Sequence, residues 1–218
     1  MRIAIPKGRL LDKALATFAA AGFDVPTERD LQTRKLVFNR RAAGAINHDV
    51  EWIFVKDCDV PVYVEHGAAD CGIAGLDQIL EHDCTAYQPI EFDFGRCKMM
   101  LIAAPGAPPL TKVATKYPRI TRQYLEGRAI RADIVPLGGS VELAAVLNLT
   151  SHVIDLVETG ETVRVHKLEI QDVVAEISPR LIVGRGVYRT ETKRIRDLIS
   201  RIEEACHPER VNDAPVRP

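Results

Sequence analysis

The chain has 218 residues, 46% of them apolar, which suits one large domain or two lobes of about 100 residues each. Lysine and arginine number 29 against 30 acids, a formal net charge of −1, and this excludes a nucleic-acid binder that works through an overall basic field. No apolar run approaches the length of a membrane span, and the first nine residues lack the apolar core and cleavage site of a signal peptide, so a cytoplasmic protein is expected.

Short β-rich runs alternate with helical patterns, which predicts an α/β fold with parallel strands joined by crossover helices. In chain order, strands are expected at 2–5, 35–38, 51–55, 71–74, 97–103, 112–115, 130–135, 153–157, 173–177 and 180–183. The first helix, 9–21, places Leu11, Leu15, Phe18 and Ala19 on one face and stops at Gly22. The last helix, 191–206, repeats the pattern with Ile195, Leu198, Ile199 and Ile202. Residues 207–218 contain three prolines and little that is apolar, and read as a flexible tail. Ten strands are too many for one doubly wound sheet of this length. Two Rossmann-like lobes around a central cleft are expected instead, the first formed by 1–91 and 180–206 and the second by 92–179, with the crossing near 91–95 and the return at Ser178-Pro179. The cleft would receive the C-terminal strand ends, where α/β proteins bind ligands.

Five cysteines are an odd number, and none forms a Cys-x-x-Cys pair, so neither a zinc site nor a redox couple is indicated. Cys58, Cys71, Cys84 and Cys97 recur every 13 residues, but their flanks differ and the spacing marks no repeat. They read mostly as small buried residues.

Three strand-to-helix turns carry candidate chemistry. Pro6-Lys7-Gly8-Arg9 joins an anion-friendly turn to two cations, although an ordinary turn with solvated charges would look the same. Gly138-Gly139-Ser140-Val141-Glu142 suits phosphate contact at Gly139 and Ser140, with Glu142 beside a metal-bound oxygen or a helix start. Neither matches a Walker loop or a dinucleotide fingerprint. The third turn is the most informative, because the apolar run 153–157 enters a small, hydroxyl-rich and acid-flanked loop, Glu158-Thr159-Gly160-Glu161-Thr162. Backbone N–H groups around Thr159, Gly160 and Thr162 would converge on a phosphate, with Gly160 letting the backbone come close. Asp155 and Glu158 would accept hydrogen bonds from ribose hydroxyls or hold a magnesium ion on pyrophosphate oxygens. That combination points to 5-phosphoribosyl 1-pyrophosphate (PRPP). A strand ending in a capped turn is the plainer reading of the same residues.

Taken in order, Pro6-Lys7-Gly8-Arg9-Leu10, the block Asp59-Val60-Pro61 through Asp77, Ala114-Thr115-Lys116-Tyr117-Pro118, Gly139-Ser140-Val141-Glu142-Leu143-Ala144 and Asp155-Leu156-Val157-Glu158-Thr159-Gly160-x-Thr162 resemble the ATP phosphoribosyltransferase family. The resemblance spans roughly residues 2–183. It implies transfer of phosphoribose from PRPP to adenine N1 of ATP with release of pyrophosphate, the first step of histidine biosynthesis, with magnesium required. It also implies a two-lobed architecture like that of type II periplasmic binding proteins. Only 12 residues follow Cys206, too few for the histidine-binding domain of the long form. The chain therefore resembles the short form, which works with a regulatory subunit related to histidyl-tRNA synthetase, typically as a hetero-octamer.

On this resemblance, Thr159, Gly160, Glu161 and Thr162 would take the 5-phosphate, Asp155 and Glu158 the ribose or metal, and Gly139, Ser140 and Glu142 pyrophosphate and metal. Asp155 and Glu142 are the expected magnesium ligands. Lys7, Gly8, Arg9, Asp77 and Lys116 are expected at ATP, and Arg34 and Lys56, with Glu142, in the transfer step. The chain also departs from the family pattern. Lys56 stands where arginine usually precedes Asp-Val-Pro, which exchanges a bidentate fork for a point charge. Asn148-Leu149-Thr150-Ser151 and Val165-His166-Lys167-Leu168 replace the usual Gly-Leu-Ala-Asp and Ala-Asn-Gly-Leu around the loop. His66, His152 and His166 read as surface or packing residues. A small-anion binding module and a phosphoribosyltransferase for another base are the competing readings. The two acids beside the loop argue against a simple anion binder.

Overall fold

A computed structural model of the chain describes residues 1–42 and 46–206. The expectation for 207–218 lies outside them. The chain runs β1 (Arg2–Pro6), α1 (Leu11–Ala20), α2 (Glu28–Leu31), β2 (Val37–Arg40), β3 (Val50–Val55), α3 (Val60–Glu65), β4 (Cys71–Gly75), α4 (Leu76–Glu81) and β5 (Tyr87–Glu91). It continues through β6 (Cys97–Ala103), β7 (Lys112–Thr115), α5 (Pro118–Gly127), β8 (Asp133–Pro136), α6 (Glu142–Val146), β9 (His152–Val157), α7 (Glu161–Val165) and β10 (Glu169–Ile177). β11 (Pro179–Val183), α8 (Arg185–Thr190) and α9 (Thr192–Cys206) follow. Two compact units result: one holds Met1–Gln78, Cys84–Gly95 and the chain from Pro179 onward, the other Ile79–Asp83 and Arg96–Ser178.

The first unit contains a sheet of order β2-β3-β1-β4-β11-β5, in which β3, β1 and β4 run parallel. β2 and β11 are antiparallel to their neighbours. Its core gathers around Trp52, whose ring meets Phe18 edge-on at 5.1 Å and whose indole Nε1–H donates to the Asp24 carbonyl at 3.0 Å. Burying the ring body while partnering its one donor gives apolar gain without an orphaned polar atom. The buried face of α1 consists of Ala14, Leu15 and Phe18; Ala19, expected there, is exposed. α9 buries Ile195, Leu198 and Ile202 against the same core, as its spacing predicted.

The second unit contains a sheet of order β10-β6-β9-β7-β8, with β9, β7 and β8 parallel. Ile102, Val153, Ala114, Val141, Ala144, Ala145, Val163 and Leu168 pack together beneath α6 and α7. α5 starts at Pro118, and no side chain of its own caps it. Instead the Glu81 carboxylate accepts the N–H groups of Arg119 at 3.0 Å and Ile120 at 3.1 Å, satisfying two donors that a helix start leaves open. Across this unit, Tyr124 Oη donates to Asp172 at 2.7 Å, and Arg128 pairs with the same carboxylate at 2.7 Å while lying 4.2 Å from the Tyr124 ring centre. Burial, then the bond to Asp172, pushes the Tyr124 phenol up to about 12. The Tyr124 and Val173 donors hold the Asp172 carboxyl below its ordinary value.

Several boundaries differ from expectation for local reasons. α1 starts at Leu11 rather than residue 9, because Gly8 at φ 97° turns the chain and its carbonyl receives Leu11 N–H. Ile130 was expected in a strand, but its N–H closes the end of α5 on the Leu125 carbonyl, with Ala129 at φ 54°. β5 was not among the expected strands; it contains Pro89 and lies at the sheet edge, where proline is tolerated.

Candidate functional site

In the second unit, the register Thr115↔Ile154 and Thr115↔Pro136 sets the C-terminal ends of β7, β9 and β8 side by side. Lys116, the run from Leu137 to Glu142 and the run from Asp155 to Thr162 all leave from this one edge. The β9 exit turns at Gly160, which has φ 75° and ψ 3° and caps α7. Only glycine adopts this conformation at little cost. A Cβ built there would meet no atom nearer than Val157 Cγ1 at 4.0 Å, so glycine answers to backbone angle here and not to crowding within the chain. The Thr159 hydroxyl accepts Glu161 N–H at 3.4 Å, and α7 stops where Lys167 takes φ 54° and Leu168 N–H returns to the Val163 carbonyl.

This turn opens on a cavity of about 320 Å³ lined by Asp155, Glu158, Thr159, Gly160, Glu161, Thr162 and Glu142 over an apolar floor of Ile102, Val153, Val163 and Leu168. Seven of the expected site residues are therefore gathered in one place. Gly139 and Ser140 are exposed in the turn before α6 but are not among the lining residues. Ser140 holds φ 47°, a conformation costly for a residue with a side chain and one that recurs at functional turns. The cavity lining contains four carboxylates and no lysine, arginine or histidine. Arg164 ties the Glu161 carboxylate at 2.6 Å. The Asp155 Oδ1 accepts the N–H of Leu156 at 2.8 Å. Among the described residues no group of three or more His, Cys, Asp or Glu forms a ready-made metal site.

In the first unit, the register Pro6↔Val55 and the bond from Lys7 N–H to the Val55 carbonyl place Lys7 and Lys56 next to each other at the ends of β1 and β3. β2 runs antiparallel to β3, with Phe54 N–H bound to the Leu36 carbonyl, so Arg34 enters at the same sheet end. All three cations are exposed. Arg9 donates to the Gly95 carbonyl at 2.9 Å. Asp77, expected at ATP, is buried: its carboxylate lies where a Cβ on Gly75 would stand, and it accepts Gln78 Nε2–H at 2.7 Å. Lys116 Nζ lies 5.8 Å from the Tyr117 ring centre.

Two residues were missed. Glu81, which fixes the helix following Lys116 and Tyr117, is 38 residues from its partner and left no local signal. Arg164 was legible in principle, because it falls one helical turn after Glu161. Of the histidines, His152 is buried in β9 beside Ser151 Oγ at 2.9 Å, and His66 is exposed. The five cysteines are free thiols.

Parallel strands that deliver glycine, hydroxyl and charged residues to a shared edge define an α/β protein with its candidate ligand site at the C-terminal strand ends. A family model described as ATP phosphoribosyltransferase matches residues 56–204, and the chain belongs to that family. It is 41% identical over 212 residues to an ATP phosphoribosyltransferase of Deinococcus radiodurans, covering 95% of this chain and 92% of that protein. It is 40% identical over 209 residues to one of Pseudomonas putida, covering 94% and 96%. Among solved structures it is similar to the ATP phosphoribosyl transferase (HisG:HisZ) complex from Thermotoga maritima, with a TM-score of 0.81, 30% identity and coverage of 96% of this chain and 100% of that one. The alkanesulfonate-binding protein SsuA from Xanthomonas axonopodis pv. citri shares the fold alone, with a TM-score of 0.53, 10% identity and coverage of 97% and 75%. The expected kinship with binding-protein folds is thus present in the architecture. No helix among the described residues is long and apolar enough to cross a membrane.

Proposed function

We propose that the chain carries out its family's reaction with the donor held at the β9–α7 turn of the second unit. Adenine N1 of ATP attacks C1 of PRPP, the bond from C1 to the pyrophosphate oxygen breaks, and the electron pair leaves on pyrophosphate. The product is N1-(5-phosphoribosyl)-ATP. Substitution at an anomeric carbon passes through a centre with oxocarbenium character, so the protein must orient two polyanions and stabilise the departing charge; no covalent nucleophile is required.

The observation that carries this reading is the cavity at Gly160. Its threonine hydroxyls and backbone suit a ribose 5-phosphate, and its carboxylates suit ribose hydroxyls. A lining this rich in carboxylates does not suit a bare polyphosphate, so the donor would enter with magnesium. Asp155 and Glu142 are the residues assigned to hold it, since hard carboxylate oxygens suit a cation that keeps water and phosphate oxygens as its other ligands. Magnesium would supply charge neutralisation for the leaving group. Gly139 and Ser140 are assigned to pyrophosphate. Lys7, Gly8, Arg9 and Lys116 are assigned to ATP, and Lys56 and Arg34 to stabilising the departing charge. The T. maritima relative is part of a HisG:HisZ complex, and we take a HisZ-type regulatory subunit as this chain's partner, in the hetero-octamer that the family resemblance implies.

The test is to incubate the chain with ATP, PRPP and magnesium and to follow N1-substituted adenine by ultraviolet absorbance. Product formation that needs all three supports the reading. Binding of PRPP without product supports the anion-binding module instead, and product only with another base supports a different phosphoribosyltransferase.

A further inference from the structure

The cavity at the β9–α7 turn presents an electrostatic conflict: Glu161, in the first turn of α7, lines a space assigned to a ribose 5-phosphate, where a second negative group opposes the ligand. Arg164, three residues on, reaches back with two guanidinium donors, Nη2 at 2.6 Å from Oε1 and Nε at 3.3 Å from Oε2. This fork-to-fork geometry fixes the direction of the carboxylate as well as its charge.

We infer that Arg164 is a positioning residue for donor binding, which neutralises and restrains Glu161 so that the turn accepts a phosphate dianion. The inference rests on the reading of this turn as the donor site. Both side chains are largely exposed, 76% for Arg164 and 61% for Glu161, so the pair contributes little to folding and its effect belongs to the charge felt by a ligand. Arg164 is assigned to Glu161 and not to the phosphate itself, because two of its donors, Nε and Nη2, already engage that carboxylate. The two residues therefore act as a unit: a neutral residue at 161 makes the arginine dispensable.

The experiment compares Arg164→Ala, Glu161→Gln, the double variant and Arg164→Lys in steady-state assays at low and high salt. Expected for Arg164→Ala is a rise in the KM for PRPP of about three- to tenfold at low salt, shrinking at high salt as screening weakens the repulsion, with kcat and the KM for ATP nearly unchanged. The double variant should bind PRPP at least about threefold more tightly than Arg164→Ala, and Arg164→Lys should retain most of the affinity. An unchanged KM for PRPP in Arg164→Ala, or a double variant as impaired as the single one, overturns the inference. Thr159→Val is the control for the donor site itself: if it binds PRPP as the parent does, the reading of the turn fails. If Thr159→Val weakens PRPP binding and Arg164→Ala does not, only the role of Arg164 is lost.

Discussion

Replacing Gly160 separates two reasons for a glycine at a phosphate-suited turn. Its φ of 75° and ψ of 3° place it in the left-handed region, and a Cβ would have 4.0 Å of clearance from its nearest neighbour. Alanine therefore fits sterically and fails conformationally, at a cost of about 1–2 kcal/mol. If the turn must keep this shape to bind the donor, that cost becomes a loss of PRPP affinity of about five- to thirtyfold. Asparagine tolerates the left-handed region better and should lose less. The assay is calorimetric titration of Gly160→Ala and Gly160→Asn with PRPP in the presence of magnesium, with ATP titrations as the control and thermal melts of the free variants beside them. The expected order of affinity is glycine, asparagine, alanine, with ATP binding unaffected. Unchanged PRPP affinity in Gly160→Ala, or equal losses in both variants, refutes the requirement for a left-handed residue.

Lys56→Ala should lower turnover more than it changes the binding of either substrate, because stabilisation of departing pyrophosphate grows in the transition state, and Lys56→Arg should retain or improve activity. Equal losses of binding and turnover in the alanine variant would make Lys56 a ground-state anchor. Gly72→Ala would set a Cβ 2.7 Å from the Ala4 carbonyl oxygen and 2.9 Å from Val60 Cγ1, so thermal melting should reveal about 1–3 kcal/mol of destabilisation. A melting point equal to the parent's would show that β4 relaxes without cost. Tyr124→Phe removes the donor to Asp172 and should lower the denaturation midpoint. Since the Asp172 carboxyl is depressed, its stabilising effect is present above its ordinary value of 3.8 and fades as pH falls through the lowered one. The raised Tyr124 phenol acts oppositely, stabilising below its ordinary value of 10.0 and losing that effect as pH rises through about 12. The stabilities of parent and variant should therefore differ by a constant amount below pH 10 and converge as pH rises toward about 12, and parallel curves would exclude the phenol as the cause.

Strands with strong β-formers and a buried face were legible residue by residue: 97–103 and 112–115 match β6 and β7 at both ends. Elements whose reason lies elsewhere in the fold were not. Pro89 is compatible with a strand because it lies at a sheet edge, and Ile130 uses its backbone N–H to close a helix instead of entering a sheet. At the site, the glycine-and-threonine turn was visible because its chemistry is local. The burial of Asp77 was not, since the space it fills exists only because Gly75 lacks a side chain. Nor was the absence of a lining cation, which depends on which residues of three separate segments come together.

β10 is the outermost strand of its sheet, nine residues long, and carries Ile170 and Val173 at 49% and 40% exposure. A long apolar edge ordinarily offers a template on which a second chain can add a strand. Here the pairing with β6 slips twice, between Ile170 and Asp172 and again between Val173 and Ala175, so the row of outward main-chain groups is not evenly spaced. Glu169, Asp172 and Glu176 add negative charge along the same strand. A foreign strand would lose register within a few residues of docking and would meet like charge if it were acidic. Built into the backbone itself, this irregularity works against the regular edge-to-edge pairing on which aggregation depends.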